Sequence, residues 1–270
     1  MVLTPAADHP RIPGSRDQPA SARSRLASPR EATVPTDLRA RPHREVTSFV
    51  RRSARMRDSL RRAYDAQLGG LVLDVPQGAL RTSLADDVDR LDLGAVFARA
   101  APLVVEIGCG PGDSLVPMAR ARPEVDVLAF EVYEPAVAAL VSRLVREDVT
   151  NVRVAPVDAV AGLARLVGEG SLTELWTFFP DPWPKTKHHK RRLVDTTFAD
   201  LVATRLAPGG RWRLATDWDS YADQMRTVLD AHPAFVAEAA DRTDRPVTRF
   251  ERRGLAAGRP ITDLVHRRVA

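Results

Sequence analysis

The sequence predicts an α/β protein, an open and largely parallel sheet with helices between its strands. Three observations carry this prediction. Leu103 to Ile107 is an apolar run bounded by Pro102 and Gly108; it leads through a glycine turn into a helical pattern that reaches Arg122. Strand-like runs then recur between helical stretches, at Asp126 to Phe130, Asn151 to Pro156, Leu175 to Phe179 and Arg211 to Thr216. Acids mark the ends of these runs (Glu106, Glu131, Asp158, Asp181 and Asp217), and the carboxyl end of a strand is where open α/β sheets bind ligands.

Composition narrows the class. The 270 residues are 44% hydrophobic, enough for one sizeable core. Lys and Arg number 40 against 35 Asp and Glu, a surplus that permits a nucleic-acid partner without requiring one. Cys109 is the single cysteine, which excludes an internal disulfide and suits the reducing cytoplasm. No apolar run approaches the ~18 residues of a membrane span, and no apolar segment of a secretory signal follows the first residues.

Residues 1–45 are rich in Pro, Ser, Ala and Arg without helical or strand period, and read as a disordered tail. Residues 46–270 read as one domain, opened by a basic helix or arm over 46–68. There Phe49, Val50, Leu60, Ala63 and Tyr64 form one apolar side, and Arg51, Arg52, Arg55, Arg57, Arg61 and Arg62 crowd the rest. A charged outer face and an arm that follows a phosphate backbone both fit that pattern. A turn at Gly69-Gly70, a polar connector and a short helix ending near Ala101 follow.

In the glycine turn, Gly108, Gly110 and Gly112 let the backbone approach a ligand closely. Glu106 is a charge inside an apolar run and needs a partner; a ligand ammonium or a backbone N–H would serve. Glu131 ends the next strand about twenty residues beyond the glycines, a placement that suits a carboxylate accepting from ribose hydroxyls. Asp158 has two compatible readings, a ligand-facing acid and the N-cap of the helix starting at Ala159.

The most distinctive stretch begins where the fourth strand stops. Pro180, Pro182 and Pro184 cannot donate ladder hydrogen bonds, so the sheet ends there, with Asp181 beside Trp183. Lys185 and the run Lys187-His188-His189-Lys190-Arg191-Arg192 follow at once. A carboxylate at a strand end beside dense positive charge suggests small-molecule chemistry on a polyanion. The two histidines lack the spaced partners of a metal site, so no metal is expected.

Phe198 to Leu206 reads as a helix that stops at Pro208-Gly209-Gly210, followed by the strand to Thr216. Asp217, beside Trp218, either faces a ligand or caps the helix that runs to Leu229, a cap Asp219 could equally supply. Phe235 to Ala240 and Ile261 to Val269 read as the closing strands, with Thr248-Arg249-Phe250-Glu251 between them. A nicotinamide dinucleotide would use the same glycine turn and ribose carboxylate. The ring of acids instead suits a cationic ligand; S-adenosylmethionine carries an ammonium and a sulfonium and no phosphate.

The blocks Glu106 to Gly110, Phe178 to Trp183, Lys187 to Arg192, Ala215 to Trp218 and Thr248 to Glu251 occur in the same order in one family. From about Thr47 to its end the chain resembles the bacterial tRNA (guanine-N7-)-methyltransferases. The glycine turn is common to all class I methyltransferases, whereas the Phe-Phe-Pro-Asp-Pro-Trp and His-Lys-Arg-Arg blocks are specific. The resemblance implies a Rossmann-like class I methyltransferase fold, a seven-stranded, mostly parallel sheet with helices on both faces. It implies methyl transfer from S-adenosyl-L-methionine to N7 of the variable-loop guanine at position 46 of tRNA, with no obligate protein partner.

By the same resemblance, Glu106, Glu131 and Asp158 line the cofactor site over Gly108, Gly110 and Gly112, and Asp181 sits where cofactor and guanine meet. Lys185, Asp217, Thr248, Arg249, Phe250 and Glu251 hold the guanine and its nucleotide, and Lys187 to Arg192 contact tRNA. Pro184 stands where the family usually has histidine and Arg249 where it has lysine; the residues near Pro260 also depart from the usual pattern. An RNA-binding protein of this fold, acting on another RNA or without catalysis, is the alternative. Trp183, Trp218 and Phe250 are each either a stacking surface for an unstacked base or a core or lid residue.

Overall fold

A computed structural model describes residues 56–269 apart from Leu80, Arg81 and Thr243. The tail expected over 1–45, and the part of the basic arm before Met56, lie outside the described residues. Seven strands form one sheet in the order β3-β2-β1-β4-β5-β7-β6. They are β1 (Leu103–Ile107), β2 (Asp126–Phe130), β3 (Val152–Ala155), β4 (Leu172–Phe178), β5 (Leu206–Thr216), β6 (Phe235–Glu238) and β7 (Thr262–Arg268). Neighbours from β3 to β5 run parallel, and β7 pairs antiparallel with β5 and β6.

Every residue of β1 and β2 is buried, as central strands covered on both faces must be. Their side chains alternate between two cores. Leu103, Val105, Ile107, Leu128 and Phe130 pack with α2 (Leu93–Phe97), α5 (Ala159–Leu166), α6 (Thr196–Arg205) and α7 (Asp219–Asp230). Val104, Val127 and Ala129 pack with α1 (Asp58–Asp65), α3 (Leu115–Ala121) and α4 (Glu134–Arg146). The seven-stranded sheet with helices on both faces is therefore present.

Two strand boundaries and one stretch of the connector differ from the sequence expectation. β4 begins at Leu172, before its apolar run, because Leu172 already pairs with Leu206. β5 likewise begins at Leu206 and carries Pro208-Gly209-Gly210 within it, not before it. The β4–β5 register shifts between Leu172 and Glu174, and the glycines form a bulge there. A Cβ on Gly210 would stand 2.9 Å from two carbonyl oxygens, those of Ala207 and Leu172. In the connector, the polar stretch hides a buried residue: Val72 bridges Val154 and so covers the outer edge of β3.

The arginines of α1 are partly committed. Arg61 donates to both carboxylate oxygens of Glu134 on α4, at 3.3 and 3.1 Å. α8 (Arg249–Ala256) follows the loop that leaves β6 and buries Glu251 and Gly254. A Cβ on Gly254 would lie 2.7 Å from the Cβ of Asp217, so this helix packs directly on the end of β5.

Candidate active site

The predicted acids stand at or just beyond the carboxyl ends of β1, β2, β3, β4 and β5. Gly108, Gly110 and Gly112 all have positive φ, at 68, 56 and 81°, which explains glycine at each. Their surroundings differ. A Cβ on Gly112 would meet Leu140 Cδ1 at 2.5 Å, so that glycine serves packing. Beside Gly108 nothing lies within 4 Å, and beside Gly110 only the Arg249 guanidinium does, at 3.8 Å; the backbone there faces open space.

Glu106 is 2% exposed. Ser114 Oγ donates to its Oε1 at 2.6 Å, while Oε2 is buried without a hydrogen-bond partner. Burial pushes the carboxyl up to about 7, against the lowering effect of the Ser114 hydroxyl and helped by nearby Glu131 and Asp113. An orphaned buried carboxylate oxygen beside an open glycine turn fits a cationic group such as the ammonium of S-adenosylmethionine. Glu131 accepts from the Gly110 N–H at 2.9 Å and the Tyr133 N–H at 2.8 Å. Burial raises this carboxyl as well, offset by those backbone donors. Each of its oxygens keeps a second lone pair for a ribose hydroxyl.

Asp158 caps α5, its Oδ1 accepting from the N–H groups of Val160 and Ala161 at 2.9 and 3.1 Å. The capping reading is thus realised, at the end of β3. Asp181 lies beyond β4, solvent-exposed yet close enough to Glu131 to act on its charge, and partial desolvation raises its own carboxyl above the usual range. The residues that bracket this loop, Phe179 and Trp183, have φ of 52 and 43° although each precedes a proline. Such backbone is rare for aromatic residues and marks a strained turn.

Asp217 does not cap α7. Its Oδ2 accepts from Arg259 Nε and Nη2 at 2.9 and 2.6 Å, and the Arg259 guanidinium lies 5.6 Å from the centre of the Trp218 ring. Asp217, Trp218, Asp219, Ser220 and Arg259 line a cleft of about 260 Å³. Thr248 caps α8 by accepting from the Glu251 N–H at 3.2 Å, so the Thr-x-x-Glu block is also a helix start. The Arg249 backbone N–H donates to Asp113 Oδ2 at 3.3 Å, which brings this block against the glycine turn.

Two of the residues expected to contact ligand are engaged within the protein. Glu251 is 1% exposed and paired with Arg242 and, at 2.7 Å, with Arg245, so its carboxylate holds the protein together and is not offered to a nucleotide. Arg192 is 3% exposed. It donates to Pro182 O, to Ser220 O and Oγ, and to Gln224 Oε1, pinning the proline loop to α7 instead of reaching RNA. Its neighbours behave otherwise. Lys185, Lys187, Lys190 and Arg191 are exposed around a 3-10 helix, Thr186–Arg191. Arg191 lies 4.9 Å above the Trp183 ring, and His188 meets the same ring edge-on at 5.8 Å. Partial burial, then Arg191 and the lysines, hold the His188 imidazole below its usual pKa. His189 Nε2 is buried without a partner.

The sequence reading missed Ser114, Arg245 and Arg259. Ser114 follows the glycine turn on the same face as Glu106, a signal that was available. Arg245 is 1% exposed in its side chain, binds Glu251 and Asp263, and lies over the Phe178 and Phe179 rings at 5.5 and 5.4 Å. Nothing local marks Arg259, whose partner Asp217 lies 42 positions away. Among the described residues no group of three or more His, Cys, Asp or Glu is arranged to hold a metal, and no helix is long and apolar enough to cross a membrane.

A family model described as "Putative methyltransferase" matches residues 100–264. The tRNA (guanine-N(7)-)-methyltransferase of Cutibacterium acnes is 50% identical over 236 residues, covering 85% of this chain and 85% of the relative. The enzyme of that name from Nocardioides sp. is 50% identical over 240 residues, covering 85% and 94%. One from Pseudomonas putida is 42% identical over 245 residues, covering 88% and 98%. With its seven-stranded sheet, its glycine turn and its ring of strand-end acids, the chain belongs to the tRNA (guanine-N7-)-methyltransferase family.

Proposed function

We propose that this protein transfers a methyl group from S-adenosylmethionine to N7 of a tRNA guanine, the acceptor being the variable-loop guanine at position 46. Family membership supports the reaction, and the variable-loop acceptor rests on the resemblance of the motif blocks. The observation that carries the cofactor is Glu106, a buried carboxylate with one oxygen lacking any partner beside an open glycine turn. Glu131 and Asp158 stand on the ribose and adenosine side of the same site.

When bound, S-adenosylmethionine supplies a methyl already activated on a sulfonium. Guanine N7 offers a lone pair and has no proton to lose, so no residue would need to act as its base. The protein's work is therefore alignment and exclusion of water. Asp181 supplies negative charge where the purine becomes cationic. Asp217, fixed by Arg259, accepts from the guanine N1–H and exocyclic amine. Lys185, Thr248 and Phe250 stand on the nucleotide side, and Glu251 positions that helix start through its arginines.

Lys187, Lys190 and Arg191 supply phosphate contacts, with His188 and His189 in the same patch. The lone cysteine, buried as a thiol, accords with a cytoplasmic enzyme. The test is incubation with methyl-labelled S-adenosylmethionine and bulk tRNA lacking N7-methylguanine, followed by nucleoside analysis. Label in N7-methylguanosine is expected, and its loss when position 46 is changed to adenine checks the acceptor. Label in another nucleoside would overturn the base assignment.

A further inference from the structure

We propose that Arg249 binds the carboxylate of the cofactor's methionyl group, and so belongs to the cofactor site and not, as the family resemblance suggests, to the guanine site. The inference rests on the S-adenosylmethionine reading above. The methionyl end of that cofactor is a zwitterion next to a sulfonium. Glu106, Asp113 and Asp181 suit the two cationic groups but oppose the carboxylate, which in such surroundings needs a cation of its own.

The structure brings a guanidinium to that position. Arg249 opens α8, far from the glycine turn in sequence, yet its Nη2 stands 3.8 Å from where a Cβ on Gly110 would be. Its backbone N–H donates to Asp113 Oδ2 at 3.3 Å, and its Nε lies 3.8 Å from the same oxygen. The helix start is thus anchored to the turn by a backbone bond, while the side-chain ion pair is long and easily exchanged. The guanidinium also lies 4.9 Å from the centre of the Phe250 ring, which restricts its motion. A second guanidinium at the turn, Arg143, is already engaged by the Gly112 carbonyl at 2.8 Å and by Glu147 at 2.8 Å. Arg249 is 46% exposed in its side chain and free to present its fork to a carboxylate in two parallel hydrogen bonds.

The test compares equilibrium binding, by calorimetry, of S-adenosylmethionine and of decarboxylated S-adenosylmethionine, which keeps the ammonium and sulfonium and lacks the carboxylate. The wild-type chain is expected to prefer the intact cofactor by about tenfold or more, as a charge-assisted pair of bonds allows. Arg249→Met should shrink that preference to roughly threefold or less without weakening the decarboxylated ligand, and Arg249→Lys should restore part of it. A preference that survives Arg249→Met overturns the proposal, because the carboxylate is then held elsewhere. Equal weakening of both ligands also overturns it, since Arg249 would then only brace α8. Failure of the wild-type chain to bind either ligand is a different result and sinks the cofactor reading itself.

Discussion

Ser114 Oγ satisfies one oxygen of the Glu106 carboxylate at 2.6 Å and leaves the other, equally buried, with no partner. Glu106 lies in β1 and Ser114 at the start of α3, on the two sides of the glycine turn. The consequence is an acid that is protonated where most carboxylates are not.

Glu106 therefore makes cofactor binding depend on pH. Its folded value of about 7 lies above the ordinary 4.5, so between those values the native chain holds a proton that the unfolded chain has lost. Stability from this group is present below the unfolded value and is lost as pH rises through about 7, a loss on the order of 3 kcal/mol. Binding an ammonium favours the ionised form and runs the opposite way. Calorimetry in buffers of different ionisation enthalpy should show proton release near pH 7 and tighter S-adenosylmethionine binding from pH 6 to 8. Glu106→Gln should abolish both. Ser114→Ala, by removing the bond that favours the anion, should move the transition to higher pH.

The two ends of the glycine turn should respond differently to one methyl group. Gly112→Ala meets Leu140 and Val116 at 2.5 and 2.8 Å with φ at 81°, and should cost roughly 2 to 4 kcal/mol in urea unfolding. Gly108→Ala meets open space and should cost only about 1 kcal/mol of backbone strain while weakening cofactor binding. Equal losses of stability would contradict the distinction between packing and ligand approach.

Arg245 is a structural anchor. Replacing it with Met leaves Glu251 and Asp263 without their buried partner, and chemical denaturation should show a loss of roughly 3 to 5 kcal/mol. A small change would mean that Arg242 alone satisfies both acids.

The basic run should divide by function. Neutralising Lys187, Lys190 and Arg191 together should lower the slope of log binding constant against log salt for tRNA by roughly 2 to 3. Arg192→Met should leave that slope unchanged and lower the melting temperature, because its donors hold Pro182 to α7. Filter binding over a salt series, with thermal melts, separates the two.

Asp181→Ala should reduce the single-turnover methylation rate on bound tRNA by roughly 100-fold, the scale of one preorganised electrostatic group, with tRNA affinity little changed. A near-normal rate would remove Asp181 from the chemistry.

Legible in the sequence were the α/β class, the positions of all seven strands to within a few residues at their ends, and which acids stand at strand ends. Those features are local: apolar runs of period two or unbroken burial, glycines where φ is positive, and a polar residue where a strand stops. It also carried the family resemblance, because the blocks from Phe178 to Arg192 and Thr248 to Glu251 are short and contiguous. It did not determine what each polar residue binds. Arg192 and Arg191 are adjacent and identical in type, yet one is buried among α7 acceptors and the other lies over Trp183. Asp217 reads equally as cap or ligand until Arg259 reaches it across 42 positions. The bulge in β5 was invisible for the same reason, since Pro208-Gly209-Gly210 looks like a turn until Leu172 pairs with Leu206. Burial and ion pairing depend on which distant segments the sheet brings together, and only the tertiary structure sets that.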